Sequence, residues 1–231
     1  MARYRRYRRY RPRNMRGYKR YRTRRRYGRS YPSKRKIKKI VRSTAELKYH
    51  DAITDWTEAQ VSYDGGVTDA EYLTKIAQGD GETQRVGRAA FLEFVQLRGQ
   101  LKSAAGAVTV RVVVFLDKAP EGVAFTKANF FEQDVAAGDG VLAYKNILKA
   151  TDARILWDHS WTMEATANGD ARKIFFKTIK IKKNMTYRGT GATNSDLEKN
   201  HVGMFIFSDA TNASNYSPAV RIWSRVRFRD Y

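Results

Sequence analysis

The sequence predicts an all-β domain, a sandwich or barrel of seven or eight antiparallel strands, preceded by a basic N-terminal arm that is disordered on its own. Three observations predict it. Twenty-one of the 45 Lys and Arg residues lie between Met1 and Arg42, a stretch with no Asp or Glu. The remainder, 43–231, is near neutral, with 24 cations against all 23 acids. After Ser43 the pattern changes to short β-branched and aromatic runs separated by Gly, Asn and Asp clusters. The chain therefore divides into an arm, 1–42, and a domain, 43–231.

Tyr4-Arg5-Arg6-Tyr7-Arg8-Arg9-Tyr10-Arg11 repeats every three residues, which fits neither the 3.6 period of an amphipathic helix nor the alternation of a strand. Met15 is the only large aliphatic residue between Arg3 and Lys36, so the arm cannot offset roughly 1–2 kcal/mol of backbone entropy per residue. Cations in such a segment neutralise phosphates and release counterions, with a salt slope of about 0.7 per contact on single strands. A purely electrostatic tail has no use for the seven tyrosines Tyr4, Tyr7, Tyr10, Tyr18, Tyr21, Tyr27 and Tyr31. Aromatic faces do stack unpaired bases, so interleaved Tyr and Arg favour single-stranded nucleic acid. The candidate binding residues in the arm are Arg3, Tyr4, Arg5, Arg6, Tyr7, Arg8, Arg9, Tyr10, Arg11, Arg13, Arg16, Tyr18, Lys19, Arg20, Arg22, Arg24, Arg25, Arg26 and Arg29. Arg24-Arg25-Arg26 and Lys34-Arg35-Lys36-Ile37-Lys38-Lys39 also suit a nuclear-localisation signal, carried by Arg24, Arg25, Arg26, Lys34, Arg35, Lys36, Lys38 and Lys39.

In the domain the runs 45–53, 90–99, 108–116, 154–163, 174–183, 202–208 and 220–229 read as strands. The connections 54–86 and 117–150 are long enough to carry short helices and surface contacts. Thr68-Asp69-Ala70-Glu71 is a capping box ahead of Leu73, Ile76 and Ala77 and predicts one brief helix. In the last run, alternation places Val220, Ile222, Ser224, Val226 and Phe228 on one face and Arg221, Trp223, Arg225, Arg227 and Arg229 on the other. The same alternation separates Ile179 and Ile181 from Lys180 and Lys182. Lys180, Lys182, Arg221, Trp223, Arg225 and Arg227 are therefore candidate nucleic-acid contacts within the domain, a solvated outer sheet face being the alternative.

Nothing points to catalysis. The chain has no Cys, and His50, His159 and His201 form no paired metal spacing. His159 shares an alternating face with Ile155, Trp157, Trp161 and Met163 and reads as a core or subunit-contact residue. Gly189-Thr190-Gly191 lacks the ending of a phosphate-cradling loop, and Gly79-Asp80-Gly81-Glu82 and Gly138-Asp139-Gly140 read as loop turns. Calcium at Asp80 and Glu82 would need about six oxygen ligands. No enzyme activity, cofactor or metal is expected. No apolar run approaches the roughly 20 residues of a membrane span, and no secretory signal is evident, so synthesis in the cytosol is expected and the three glycosylation sequons at Asn184, Asn212 and Asn215 read as chance.

Several stretches occur in a familiar order: Met1-Ala2-Arg3-Tyr4-Arg5-Arg6-Tyr7, Glu46-Leu47-Lys48-Tyr49, Gln78-Gly79-Asp80-Gly81-Glu82-Thr83-Gln84-Arg85-Val86-Gly87-Arg88 and Leu97-Arg98-Gly99. Val110-Arg111-Val112-Val113-Val114-Phe115-Leu116-Asp117-Lys118, Ile155-Leu156-Trp157-Asp158 and Arg225-Val226-Arg227-Phe228-Arg229-Asp230 follow. In these stretches the chain resembles the capsid proteins of circoviruses and related circular, replication-initiator-encoding single-stranded DNA viruses. The resemblance implies an eight-stranded antiparallel jelly roll, sixty copies in a T=1 icosahedral shell, and arms directed inward on the genome. It implies as partners the single-stranded DNA genome, further copies of the chain, host nuclear import receptors and a host attachment receptor of unknown identity. The implied locations are the virion and, during assembly, the host nucleus. Two other classes stay open: a cellular RNA- or DNA-binding module with a basic tail, and the coat protein of a positive-strand RNA virus.

Overall fold

A computed structural model describes residues 44–62, 69–103, 106–132, 141–165, 171–210 and 218–230, together with 33, 34, 36, 37 and 40. The arm candidates from Arg3 to Arg29, and Arg35, Lys38 and Lys39 of the localisation signal, lie outside the described residues.

Nine strands are found among the described residues: β1 (Glu46–Trp56), β2 (Glu71–Tyr72), β3 (Ala89–Ser103), β4 (Gly106–Asp117), β5 (Ala153–Ala165), β6 (Ala171–Tyr187), β7 (Leu197–Lys199), β8 (His201–Ser208) and β9 (Ala219–Asp230). They pair antiparallel in two sheets, β1-β9-β3-β6-β7 and β2-β8-β4-β5. The protein is all-β, and each of the seven runs read from the sequence coincides with one of the longer strands. Strands far apart in the chain are neighbours: β1 pairs β9, β2 pairs β8, β3 pairs β6 and β4 pairs β5. Among the described residues no helix is long and apolar enough to cross a membrane.

The two sheets differ in how they meet water. In β9 every second residue is buried, from Val220 to Asp230, and the residues between face outward. That is the pattern of a sheet with one solvated face. β8 is buried at every position, and β4 is buried from Val110 to Asp117. A continuous apolar run of this kind requires cover on both faces, and the long connection after β4 supplies it. Phe115 packs against Phe125 and Phe130 of that connection, and Arg111 donates to the carbonyls of Val141 and Ala143. Gly203 is needed opposite Phe115, because a Cβ there would lie 2.4 Å from the ring.

The helix expected from the capping box does not form. Asp69 bridges Thr126, Ala70 N–H donates to Phe125 O, and Leu73 N–H donates to Val202 O. Glu71–Tyr72 is instead a short strand on β8, with Tyr72 buried and its hydroxyl donating to Asp117 at 2.5 Å. Tertiary pairing of these backbone groups outweighs the local helix signal. Among the described residues of the long connections, one-turn helices lie elsewhere, at Glu58–Val61 and Lys127–Phe130. The second is capped by Thr126, whose hydroxyl accepts from Asn129 N–H.

The 78–88 segment is tied down by Arg85, which is fully buried. Its guanidinium donates to the carbonyls of Ile76 (2.9 Å), Gly87 (2.6 Å) and Gly189, and lies 3.9 Å from the centre of the Tyr187 ring. Gly79-Asp80-Gly81-Glu82 is the turn expected of it, closed by Gln84 N–H donating to Gly81 O.

His201, at the start of β8, is buried between Thr74 and Thr186. Val202 N–H donates to the Thr74 hydroxyl, which in turn faces His201 Nδ1 at 3.0 Å, while Nε2 meets Thr186 O at 2.7 Å. A neutral ring that donates from Nε2 and accepts at Nδ1 satisfies the whole chain of bonds. Burial pushes its pKa down to about 4. The group's folded pKa is depressed, so its contribution is complete above the unfolded value near 6.5 and is lost as pH falls towards 4. Urea unfolding is expected to show about 3 kcal/mol lost across that window. His50, lowered by burial, adds to this loss, and Asp117, raised by burial, offsets part of it. His201→Gln should flatten the profile; an equally steep loss in that variant would assign the acid sensitivity to other groups.

Candidate nucleic-acid interface

β9 lies between β1 and β3, so its outward side chains have neighbours on both sides. The register sets Tyr49 beside Arg227, Asp51 beside Arg225, Ile53 beside Trp223 and Asp55 beside Arg221. On the other flank Phe94, Gln96, Arg98 and Gln100 stand beside the same four residues of β9. β6 extends the rows with Lys180, Thr178, Phe176 and Ile174. The candidates Lys180, Arg221, Trp223, Arg225 and Arg227 therefore share one outward face, whereas Lys182, which alternation set beside Lys180, falls at an irregularity of β6.

The cations on this face are not bare. Arg221 grips Asp55 through Nε and Nη2 at 2.5 and 2.9 Å, and Arg225 grips Asp51 at 2.7 and 2.6 Å. Glu93 accepts from Arg229 Nε at 2.6 Å and lies 3.6 Å from Arg227. The Asp51 carboxylate holds the pKa of Arg225 above its usual value, and Asp55 does the same for Arg221. Conversely, its hydrogen bonds with Arg225 lower the pKa of Asp51. Arg221, Arg225 and Arg227 also lie over the rings of Trp223, Tyr49 and Phe94, at 5.7, 5.1 and 5.5 Å.

The carboxylates were within reach of sequence reading only through pairing. Leu47, Tyr49, Asp51, Ile53 and Asp55 alternate outward on β1, but nothing local announces that the first strand lies against the last. Glu93 arrives by a different route. The register slips between Leu92 and Phe94 on both flanks: against β9 Glu93 is the extra residue, whereas against β6 the extra residue is on β6, where Ile181 and Lys182 stand opposite Glu93. Such a bulge re-aims a side chain, here setting a carboxylate between two arginines. Opposite it, Lys182 takes φ 54, a left-handed conformation uncommon for lysine, and its side chain is exposed.

The centre of the face is a groove of about 550 Å3 between Ile53, Trp223, Arg98, Phe176 and Ile174, bounded by Asp51 and Arg225. A second aromatic group lies on β5 and β6, where His159 is exposed, stacked on Trp157 and edge-on to Trp161, and Trp161 stacks on Phe175. Of the localisation signal, Lys34 and Lys36 are described and exposed. No protein-family model matches the chain, and no curated protein matches it as a relative.

Proposed function

We propose that the protein is the coat protein of a small single-stranded DNA virus, which assembles into a closed icosahedral shell and packages its circular genome through the arm. The observation that carries this reading is the division of charge: nearly all of the excess cation sits in 1–42, ahead of a near-neutral β-domain. Sixty arms in one shell would bring on the order of a thousand positive charges to the genome, enough to neutralise a similar number of phosphates. The domain is a jelly roll on this reading, with β7 a short addition to eight principal strands. In support, strand pairs β1–β9, β2–β8, β3–β6 and β4–β5 are those of one long hairpin rolled up, and they alternate between the two sheets. Leu142, Tyr144, Ile147 and Leu148 are 71 to 88 % exposed in the connection before β5. Exposed apolar side chains concentrated in one short segment suit contacts between copies. Exposed Lys34 and Lys36 belong to the segment proposed to engage nuclear import receptors.

Negative-stain electron microscopy of the purified full-length protein with its co-purified nucleic acid tests the proposal. Uniform closed particles enclosing nuclease-protected, circular single-stranded DNA are expected. Dispersed monomers under every assembly condition would sink the coat-protein reading, and protected RNA would replace DNA with an RNA genome.

The outward face of β9 is proposed as a secondary phosphate-binding surface. Exposed ion pairs contribute only about 0–1 kcal/mol, so phosphate can take the place of carboxylate at Arg221 and Arg225. Asp51→Asn combined with Asp55→Asn is expected to raise affinity for single strands several-fold. Each arginine newly engaged should steepen the salt dependence by about 0.7. Fluorescence anisotropy of a labelled oligonucleotide across a salt series measures both; unchanged slope and affinity would remove this face from the genome side.

A further inference from the structure

We infer that the groove between Trp223 and Phe176 is a nucleobase site, taking one unpaired base of a single strand against these rings while Arg98 meets the adjoining phosphate. The inference rests on the reading of single-stranded nucleic acid as the partner and gives that contact a place and a chemistry. It begins from one row of the sheet, in which Ile53, Trp223, Arg98 and Phe176 stand side by side on four strands. Ile53 and Phe176 are 64 and 71 % exposed, as is Ile174 at 63 % in the next row. With Trp223 they make four large apolar side chains clustered at the centre of the face, and a cluster of this kind marks a surface that something covers.

The polar groups narrow down what covers it. Arg225 and Arg221 are held by Asp51 and Asp55, whereas Arg98 has no carboxylate within ion-pair distance among the described residues. Its guanidinium lies 5.8 Å from the centre of the Phe176 ring, a cation beside an aromatic wall. Gln96 and Gln100 flank Arg98 on the same face of β3, and their amides have no hydrogen-bond partner among the described residues. A wholly apolar partner would bury that cation and both amides unsatisfied, at a cost. A base offers a π-face to Trp223 and Phe176, an edge with donors and acceptors to the two glutamines, and a phosphate to Arg98. The volume of about 550 Å3 falls within the roughly 300–1,000 Å3 of small-molecule sites. In a duplex the π-faces are stacked inside, so the site selects single strands.

Photocrosslinking localises the contact without any substitution. Full-length protein is irradiated with a single strand carrying 5-iodouracil, at about 0.5 M salt to weaken phosphate contacts, and crosslinked peptides are mapped by mass spectrometry. Crosslinks are expected in the tryptic peptides 222–225 and 174–177, and the duplex of the same sequence should give none there. Trp223→Ala, an exposed position, should abolish the 222–225 crosslink and leave those in the arm unchanged. At the same salt, the loss of affinity on going to an abasic strand of equal length should be about tenfold smaller in Trp223→Ala than in the parent, since the tyrosines of the arm are the same in both. Crosslinks confined to the arm would overturn the base site while leaving nucleic-acid binding intact. No binding and no crosslink anywhere would overturn both.

Discussion

Arg85→Met is expected to remove roughly 3–6 kcal/mol of stability, enough to unfold a large fraction of a domain whose total is about 5–15 kcal/mol. The arginine has no solvent exposure, and its donors close three backbone carbonyls, those of Ile76, Gly87 and Gly189. Methionine fills much of the same volume but removes the donors to the buried Ile76 carbonyl and to the carbonyls of the half-buried Gly87 and Gly189, at about 1–2 kcal/mol apiece. Arg85→Lys should recover little, because one ammonium cannot reproduce a planar fork aimed at acceptors from two different connections. The control is Arg88→Met, three residues on and exposed, expected to stay within about 0.5 kcal/mol of the parent. Urea unfolding followed by tryptophan fluorescence compares the three variants. If Arg85→Met unfolds within about 1 kcal/mol of the parent, the clamp does not hold the 78–88 segment.

Deleting residues 2–42 is expected to weaken binding to single-stranded nucleic acid by a factor on the order of a thousand or more at physiological salt. It should also remove most of the salt dependence. If only ten of the arm's 21 cations meet phosphates, the slope they carry is roughly 7. The domain should unfold with an unchanged midpoint, because the buried apolar core of the described residues draws on positions from Trp56 to Phe228. Anisotropy titrations and thermal unfolding on the same truncated protein separate the two effects. Loss of the cooperative transition would assign the arm a structural role, and undiminished affinity would move nucleic-acid binding to the domain.

Seven strands were legible because each is long enough for alternation, or a continuous apolar run, to stand out. Glu71–Tyr72 and Leu197–Lys199 were not, since two or three residues carry no period. A good capping box stood ahead of a stretch, Asp69 to Leu73, whose backbone is committed to β8 and to the connection after β4, and such commitments have no local mark. The outward arginines of β9 were legible for the same reason as its core face. Their partners were not: Asp51 and Asp55 come from the other end of the chain, and Glu93 from a bulge. Net charge therefore overstated how cationic the face is. The groove has the same origin, as its four walls come from β1, β9, β3 and β6 and meet only through non-local register.

That the first strand pairs with the last has a consequence for avidity. Glu46 stands opposite Asp230, so the arm joins the domain beside the end of the arginine row. If the arm grips a nucleic-acid strand as proposed, that strand is tethered close to the face, where its effective concentration would be on the order of millimolar for a short connection. Contacts on the face can then be individually feeble and still be occupied. Weak binding at Arg225 or Trp223 in isolation would be compatible with nearly continuous engagement in the intact chain, and exchange from one phosphate to the next would stay fast enough for a long strand to settle as it is packed.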